Sequence, residues 1–169
     1  VGAYIGNHSV FFSNYFKNVL SFEPNPYSYE LLKLNTKNKK NIYIYNFGLS
    51  NKKSIEDFYN YEFNHGGSSI IKNKKNIHTK YKAKFNSFDR LNVKKKIDLI
   101  KIDVEGNELK VLKGMEKTLK KDFPIVLFEC HKKEFFNGTT HTINFLKSKG
   151  YSKFYSIENY PNTKITIFN

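Results

Sequence analysis

Residues suited to binding a nucleotide-like ligand stand just after predicted strands of this 169-residue chain. Gly2 and Gly6 open a predicted helix. Glycine lets the backbone come close to a ligand, and the amino end of a helix supplies free N–H groups. Glu23 ends the next predicted strand about twenty residues further on, where an acid can accept hydrogen bonds from both ribose hydroxyls of an adenosine. The alternative for Glu23 is a solvated carboxylate at a strand end; the spacing favours the ribose role.

A second group of residues is suited to moving a proton. Asp103 ends the apolar run 97–102, and it could bind a metal, act as a base or face a cofactor. Glu129 and His131 stand two apart, on the same side of an extended chain. His131 is the best-placed general base of the five histidines, because imidazole titrates near working pH; a hydrogen-bonded histidine at a strand end is the alternative. We predict no metal site, because the carboxylates show no specific ligand spacing.

The net charge of +14 on its face suggests a nucleic acid or an anionic membrane as partner. Only one of the 29 basic residues is an arginine, Arg90, whereas nucleic-acid readers depend on arginine for bidentate contacts. Lysine, asparagine, isoleucine, phenylalanine and tyrosine are abundant together, as an AT-rich coding sequence would produce. We therefore expect no nucleic-acid partner.

Cysteine content and hydropathy exclude other classes. The single cysteine, Cys130, cannot form an internal disulfide, so a disulfide-rich secreted scaffold is excluded. No apolar run approaches the ~18 residues of a membrane span, and no signal peptide is visible. We expect a cytoplasmic protein with a single domain over residues 1–169, a usual domain size.

The elements that must position these residues alternate between strand and helix. The predicted strands span residues 19–23, 42–47, 54–59, 82–88, 97–103, 124–129, 151–157 and 164–168. A helix is predicted after the Gly2–Gly6 loop, with Phe12, Tyr15, Phe16 and Val19 on one face, and further helices are predicted over residues 26–37, 107–120 and 139–149. This pattern predicts an α/β fold with a parallel sheet covered on both faces, and an antiparallel hairpin from the last two strands at the sheet edge. Ligands of such sheets bind at the carboxyl ends of the strands, where the acidic, small and polar residues collect.

Five segments together carry a resemblance to a known family. They are VGAYIGNHS at residues 1–9, FEPNP at 22–26, GLS at 48–50, SFDRL at 87–91 and IDLIKIDVEGNE at 97–108. In this order they strongly resemble the FkbM family of S-adenosylmethionine-dependent methyltransferases, across almost the whole chain. The resemblance implies the class I methyltransferase (Rossmann-like) sheet of seven strands, with the last pair forming the antiparallel edge.

The resemblance also implies which residues bind S-adenosylmethionine. The loop at the chain start would approach its methionine part, Glu23 would hold the ribose, residues 48–50 would lie near the adenine, and Asp103 would face the sulfonium. The expected cofactor contacts are Gly2, Ala3, Gly6, Asn7, Glu23, Pro24, Asn25, Gly48, Leu49, Ser50 and Asp103.

The activity that the resemblance implies is O-methylation of a hydroxyl, often on a sugar of a bacterial surface glycan or on a natural product. His131, Asp103 or Glu129 would remove the hydroxyl proton. Contacts to this small-molecule or glycan acceptor are expected from residues 60–80 and 129–137. The family carries a strand with an acidic end before the Val-Gly-Ala stretch, whereas this sequence begins at Val1. We therefore expect the first strand to be missing and the domain to be truncated at its amino end.

Three other functions remain open from the sequence. A nucleic-acid methyltransferase would use the same cofactor site and turn the basic surface into a strand-binding face. A non-catalytic, cofactor-binding scaffold would need no acceptor at all. A dehydrogenase is disfavoured because the three-glycine fingerprint is missing. The oligomeric state is not predictable.

Overall fold

The computed structural model describes residues 1–61, 64–69, 77–158 and 164–168. It divides into two compact units, Val1–Glu129 and Cys130–Asn169. In the first unit, two pairs of parallel strands end at the candidate residues. Strand β1 (Val19–Phe22) pairs with β2 (Ile42–Tyr45), and β7 (Leu99–Ile102) pairs with β8 (Ile125–Phe128). The apolar runs therefore predicted the parallel strands correctly, with ends one or two residues too long.

The part of the sequence between the two parallel pairs forms a four-stranded mixed sheet. The order in this sheet is β3 (Gly48–Leu49), β6 (Ile77–Asn86), β4 (Ser54–Tyr61) and β5 (Asn64–Ser69). Strand β3 runs parallel to β6, and β4 is antiparallel to both β5 and β6. The polar segment of β5 pairs with β4 at Tyr59–Ser69 and Tyr61–Asn64, with a register shift between the two pairs. Of the predicted acceptor segment 60–80, residues 62–63 and 70–76 lie outside the described residues.

Helices of the first unit cross between the parallel strands. Helix α1 (Asn7–Phe12) follows the glycine loop, and α2 (Pro26–Thr36) connects β1 to β2. Helix α2 begins as predicted, with Pro26 in its first turn. It is capped by Asn25, whose Oδ1 accepts hydrogen bonds from the N–H groups of Tyr27 at 2.9 Å and Ser28 at 3.4 Å.

The helix predicted over residues 107–120 is two helices, α3 (Glu108–Lys113) and α4 (Glu116–Asp122). The chain turns at Gly114, where an added Cβ would lie 2.0 Å from the carbonyl oxygen of Ser50. Only glycine permits this approach. Leu112 and Leu119, predicted to point inward, are fully buried on either side of the break. The prediction of one continuous helix was wrong, because a neighbouring backbone occupies the space of one helical turn.

Among its described residues, the second unit contains an α-helix, a short 3-10 helix at Lys132–Glu134 and a hairpin. Helix α5 (His141–Ser148) is capped by Thr140, whose Oγ1 accepts the N–H of Ile143 at 3.1 Å. Strands β9 (Phe154–Glu158) and β10 (Lys164–Phe168) pair antiparallel, which confirms the predicted hairpin. Within the described ranges, no helix of the protein is both long enough and apolar enough to cross a lipid bilayer.

Candidate functional site

The glycine loop at the start of the chain bridges the carboxyl ends of β1 and β7. The Val1 nitrogen donates to the carbonyl of Lys101 at 2.8 Å, and the Asp103 N–H donates to the Val1 carbonyl at 3.1 Å. On the other side, the N–H groups of Gly2 and Ala3 both donate to the Phe22 carbonyl, at 3.1 and 3.0 Å. The loop therefore lies between the two parallel pairs, at the edge where ligands of such folds bind.

Both glycines of the loop are required by close contacts within the fold. Gly2 has φ 71°, and an added Cβ would lie 1.8 Å from the carbonyl oxygen of Asp103. Gly6 has φ 98°, and its Cβ would lie 2.7 Å from a methyl group of Leu32 on α2. Positive φ and close packing both favour glycine. The sequence analysis attributed these glycines to ligand approach; in the structure they hold the loop against β7 and α2.

Glu23 is buried, with 6% of its surface exposed, so it is not a solvated strand-end carboxylate. Its Oε2 accepts the N–H of Tyr4 at 2.7 Å, and its Oε1 accepts the N–H of Asn25 at 2.9 Å. Burial raises the pKa of Glu23, although the two backbone N–H groups oppose this shift. Each carboxylate oxygen has a second lone pair, so both can also accept a hydrogen bond from a ligand hydroxyl.

The carboxylate of Glu23 also holds a strained residue. Tyr4 has φ 49°, in the left-handed region that bulky residues rarely adopt. This conformation costs on the order of 1–2 kcal/mol, which the hydrogen bond from Tyr4 to Glu23 helps to offset. Strained residues held in this way cluster at binding sites. Glu23 therefore shapes the glycine loop as well as facing the cavity beside it.

Asp103 is paired with a lysine that the sequence analysis did not single out. Lys101 Nζ lies 2.6 Å from Asp103 Oδ2, and the two side chains are 17% and 43% exposed. Residues two apart on a strand point to the same face, which was the available signal for this pair. The ion pair fixes the position of the Asp103 carboxylate at the end of β7.

The turn after β7 is held by a third acid. Glu108, which is buried in the first turn of α3, accepts the N–H groups of Val104 at 3.3 Å and Gly106 at 3.2 Å through its Oε1. Between these two groups, Glu105 has φ 52°, again in the left-handed region. An anion is favoured at the amino end of a helix, and Glu108 occupies that position in α3. Its carboxylate also holds the turn that carries Glu105.

These elements enclose a cavity of about 380 Å³ in the first unit. Of the residues predicted to bind the cofactor or move the proton, the cavity is lined by Gly2, Ala3, Asn7, Glu23, Pro24, Gly48, Leu49, Asp103 and Glu129. Gly6, Asn25 and Ser50 do not belong to this lining: Gly6 packs on α2, Asn25 caps that helix, and the backbone of Ser50 faces Gly114. Their contacts to a cofactor stay predictions.

Several lining residues were missed by the sequence analysis as site residues. Among them are Phe58 on β4 and Phe85 on β6, which are 6% and 5% exposed and lie 6.1 Å apart between ring centroids. The ring of Phe85 occupies the space beside Gly48, where a Cβ would lie 2.3 Å from it. The mixed sheet thus contributes one wall of the cavity. No local sequence signal could have placed these strands against the parallel pairs.

The predicted base, His131, and a second histidine, His8, belong to different units of the protein. His131, the predicted base, opens the second unit, where its N–H donates to Glu134 Oε1 at 3.3 Å, so its role stays a prediction. His8, in the first turn of α1, lines the cavity. Desolvation, and then the charge of Lys101, lower the pKa of His8, while Asp103 opposes them. The imidazole is therefore held in its neutral form, in which it can accept a proton.

Comparison with known proteins gives two matches. The family model described as the methyltransferase FkbM domain matches residues 1–153. Methyltransferase FkbM from Methylobacillus flagellatus KT has a similar crystal structure, with a TM-score of 0.64 and 16% sequence identity. The alignment covers 99% of this chain and 42% of that protein, so the chain spans less than half of the relative's length. At this identity the likeness concerns the fold alone. No curated protein matches the chain.

Proposed function

The chain belongs to the FkbM methyltransferase family, and we propose that it transfers a methyl group from S-adenosylmethionine to a hydroxyl. The acceptor is a sugar of a bacterial surface glycan or a natural product. One observation carries the proposal: the glycine loop and the buried carboxylate of Glu23 meet in one cavity at the carboxyl ends of the parallel strands.

The lining fits the parts of S-adenosylmethionine in order. Glu23 would accept the ribose hydroxyls with the lone pairs that Tyr4 and Asn25 leave open. The apolar surface of Leu49 with Phe85 would lie against the adenine. Gly2, Ala3 and Asn7 would border the methionine part, and Asp103 would face the sulfonium. A carboxylate near a fixed positive charge stabilises it in a partly desolvated site.

When bound, S-adenosylmethionine supplies a methyl group already activated for transfer. Alignment of the acceptor hydroxyl with that methyl group then gives most of the rate. A base must take the hydroxyl proton during attack, and the cavity offers the carboxylates of Asp103 and Glu129 and the neutral imidazole of His8. His131 stays a candidate from the sequence. Lys101 would hold Asp103 in place through their ion pair.

We also propose that the two parallel pairs are the halves of one class I sheet, with a further strand between them. Val1 already makes a parallel bridge to β7, and the next two residues bond to β1. A mostly apolar cavity of about 140 Å³ is lined by Val1, by Val19–Phe22 and by residues 97–101. A strand placed there would pair with both β1 and β7 and give the sheet that the resemblance predicts.

Calorimetric titration with S-adenosylhomocysteine tests the proposed function. We expect wild-type protein to bind, and Glu23→Gln to weaken binding by about 1–3 kcal/mol, the loss expected for hydrogen bonds to a charged group. The matched control is Glu30→Gln, since Glu30 is exposed on α2 and away from the cavity. Circular dichroism would establish that each variant is folded. Absence of binding by folded wild-type protein would refute the proposal and favour a non-catalytic scaffold.

A further inference from the structure

The charge inside the cavity is opposite to that of the whole protein. The chain carries a net charge of +14. Among the described lining residues, by contrast, four carboxylates face a single cationic side chain. The carboxylates belong to Glu23, Asp103, Glu105 and Glu129, and the cation is Lys101, which already forms the ion pair with Asp103. The positively charged surface therefore does not continue into the cavity.

This difference constrains the acceptor. An anionic group entering the cavity would leave water and approach several carboxylates, and charge repulsion is strongest in such partly desolvated places. S-adenosylmethionine carries one net positive charge, whereas the described lining contains four carboxylates and one lysine. An acceptor with phosphate or carboxylate near its reacting hydroxyl is therefore disfavoured. An uncharged acceptor is tolerated, and an ammonium group is attracted.

A buried amide adds a second, independent constraint. Asn107 is 7% exposed and lines the same cavity. Its Nδ2 is buried and meets no hydrogen-bond acceptor among the described residues. Although Asn107 stands at the cap position of α3, its side chain makes no capping bond. A buried donor without a partner costs about 1–3 kcal/mol, and a ligand oxygen at this place would remove that cost.

We propose that the acceptor is a polyhydroxy compound that is uncharged or carries an amine, and that Asn107 donates a hydrogen bond to one of its oxygens. Hydroxyl groups suit both features, because they accept from the amide and donate to carboxylates. In the transfer, the acceptor oxygen forms a bond to the methyl carbon as the carbon–sulfur bond breaks. The bonding electron pair returns to sulfur, and the hydroxyl proton passes to a base of the cavity. The inference rests on the proposed methyltransferase function.

The test compares three hexoses that share one ring and differ in charge. Protein saturated with S-adenosylhomocysteine is titrated with glucosamine, glucose and glucuronate, with binding followed by ligand-observed NMR. We expect glucosamine to bind at least as tightly as glucose, and glucuronate several-fold more weakly. The differences in affinity among the three hexoses should become smaller as salt is added, because salt screens charges near the surface.

Variants separate the two constraints. Glu105→Gln should reduce the ratio of glucosamine to glucuronate affinity by roughly fivefold or more, because roughly fivefold is the effect of one unit charge about 4 Å away even in bulk water. Glu30→Gln, which changes the net charge equally on exposed α2, should leave the ratio unchanged. Asn107→Leu should weaken all three sugars alike, without changing the affinity for S-adenosylhomocysteine.

Several outcomes would overturn the inference. One is glucuronate that binds as tightly as glucosamine, and another is an equal effect of Glu105→Gln and Glu30→Gln on the affinity ratio. A third is the absence of binding of any hexose at the highest soluble concentration. A single-stranded oligonucleotide that binds more tightly after Glu105→Gln would instead indicate a nucleic-acid acceptor. Failure of the proposed function itself is distinguishable, because S-adenosylhomocysteine would then not bind before any sugar is added.

Discussion

The substitution Gly2→Ala is expected to destabilise the protein through a clash that can be read directly from the structure. The new Cβ would lie 1.8 Å from the carbonyl oxygen of Asp103, and real Cβ atoms essentially never come within 3.0 Å, so the two must separate by at least 1.2 Å. That movement disrupts the hydrogen bond from Asp103 to Val1 and one of those from the loop to Phe22. Two such bonds are worth about 1–3 kcal/mol, and the positive φ adds about 1–2 kcal/mol, for a total of roughly 2–5 kcal/mol.

Gly138→Ala provides the control. Gly138 has φ +75°, close to the value at Gly2, but nothing lies within 4 Å of its added Cβ. It should lose only the conformational part, about 1–2 kcal/mol. The chain has no tryptophan, so urea unfolding would be followed by far-ultraviolet circular dichroism and tyrosine fluorescence. Calorimetry should show weaker S-adenosylhomocysteine binding for Gly2→Ala alone. Equal losses of stability in the two variants would refute the clash, because they share the backbone conformation and differ in the contact.

Three further predictions concern the acids and the lysine of the site. Burial raises the pKa of Glu23, so the stability that this group contributes is present below its unfolded value of about 4.5 and is lost as pH rises through the folded value. Wild-type protein should therefore lose stability relative to Glu23→Gln in urea unfolding as the pH rises above about 4.5, and a gain would contradict the assignment. Lys101→Met removes the positive charge that compensates the Asp103 carboxylate. The ratio of S-adenosylmethionine affinity to S-adenosylhomocysteine affinity, measured by calorimetry, should therefore rise by roughly fivefold. An unchanged ratio would place the sulfonium away from this ion pair. Glu108→Ala removes the acceptor of two backbone N–H groups and should lower the free energy of unfolding in urea by about 2 kcal/mol. Glu108→Gln keeps an acceptor oxygen and should lower it less. Equal losses in the two variants would show that packing dominates.

The sequence predicted the parts of the fold that depend on local pattern. Apolar runs with β-branched residues identified β1, β2, β7 and β8, and their carboxyl ends identified Glu23 and Asp103 as residues of one edge. The glycine loop and Glu23 line the same cavity, and the binding of a cofactor by them stays a prediction. The strand predictions succeeded because strand period and parallel crossover rules act over short stretches of chain.

What the sequence could not predict depends on contacts between distant segments. The break at Gly114 exists because the backbone of Ser50 passes beside it, more than sixty residues away in the chain. Phe58 and Phe85 reach the cavity only through the long pairing of β4 with β6. Likewise, no local sequence feature predicts the left-handed backbone of Tyr4, which is stabilised by a carboxylate nineteen residues later in the chain.

Glu23 both supports the backbone of the glycine loop and faces the cavity, and this combination has an evolutionary consequence. Because its carboxylate supports the backbone of Tyr4 and Asn25, a descendant that had lost its ligand would still be selected to keep this acid for folding. Retention of the acid in a relative is therefore weak evidence that the relative still binds a cofactor. The Nδ2 of Asn107 donates to no acceptor in the described part of the fold, so selection for folding would not preserve this donor. Among relatives, its loss or retention would be the more informative record of whether the cavity is still used.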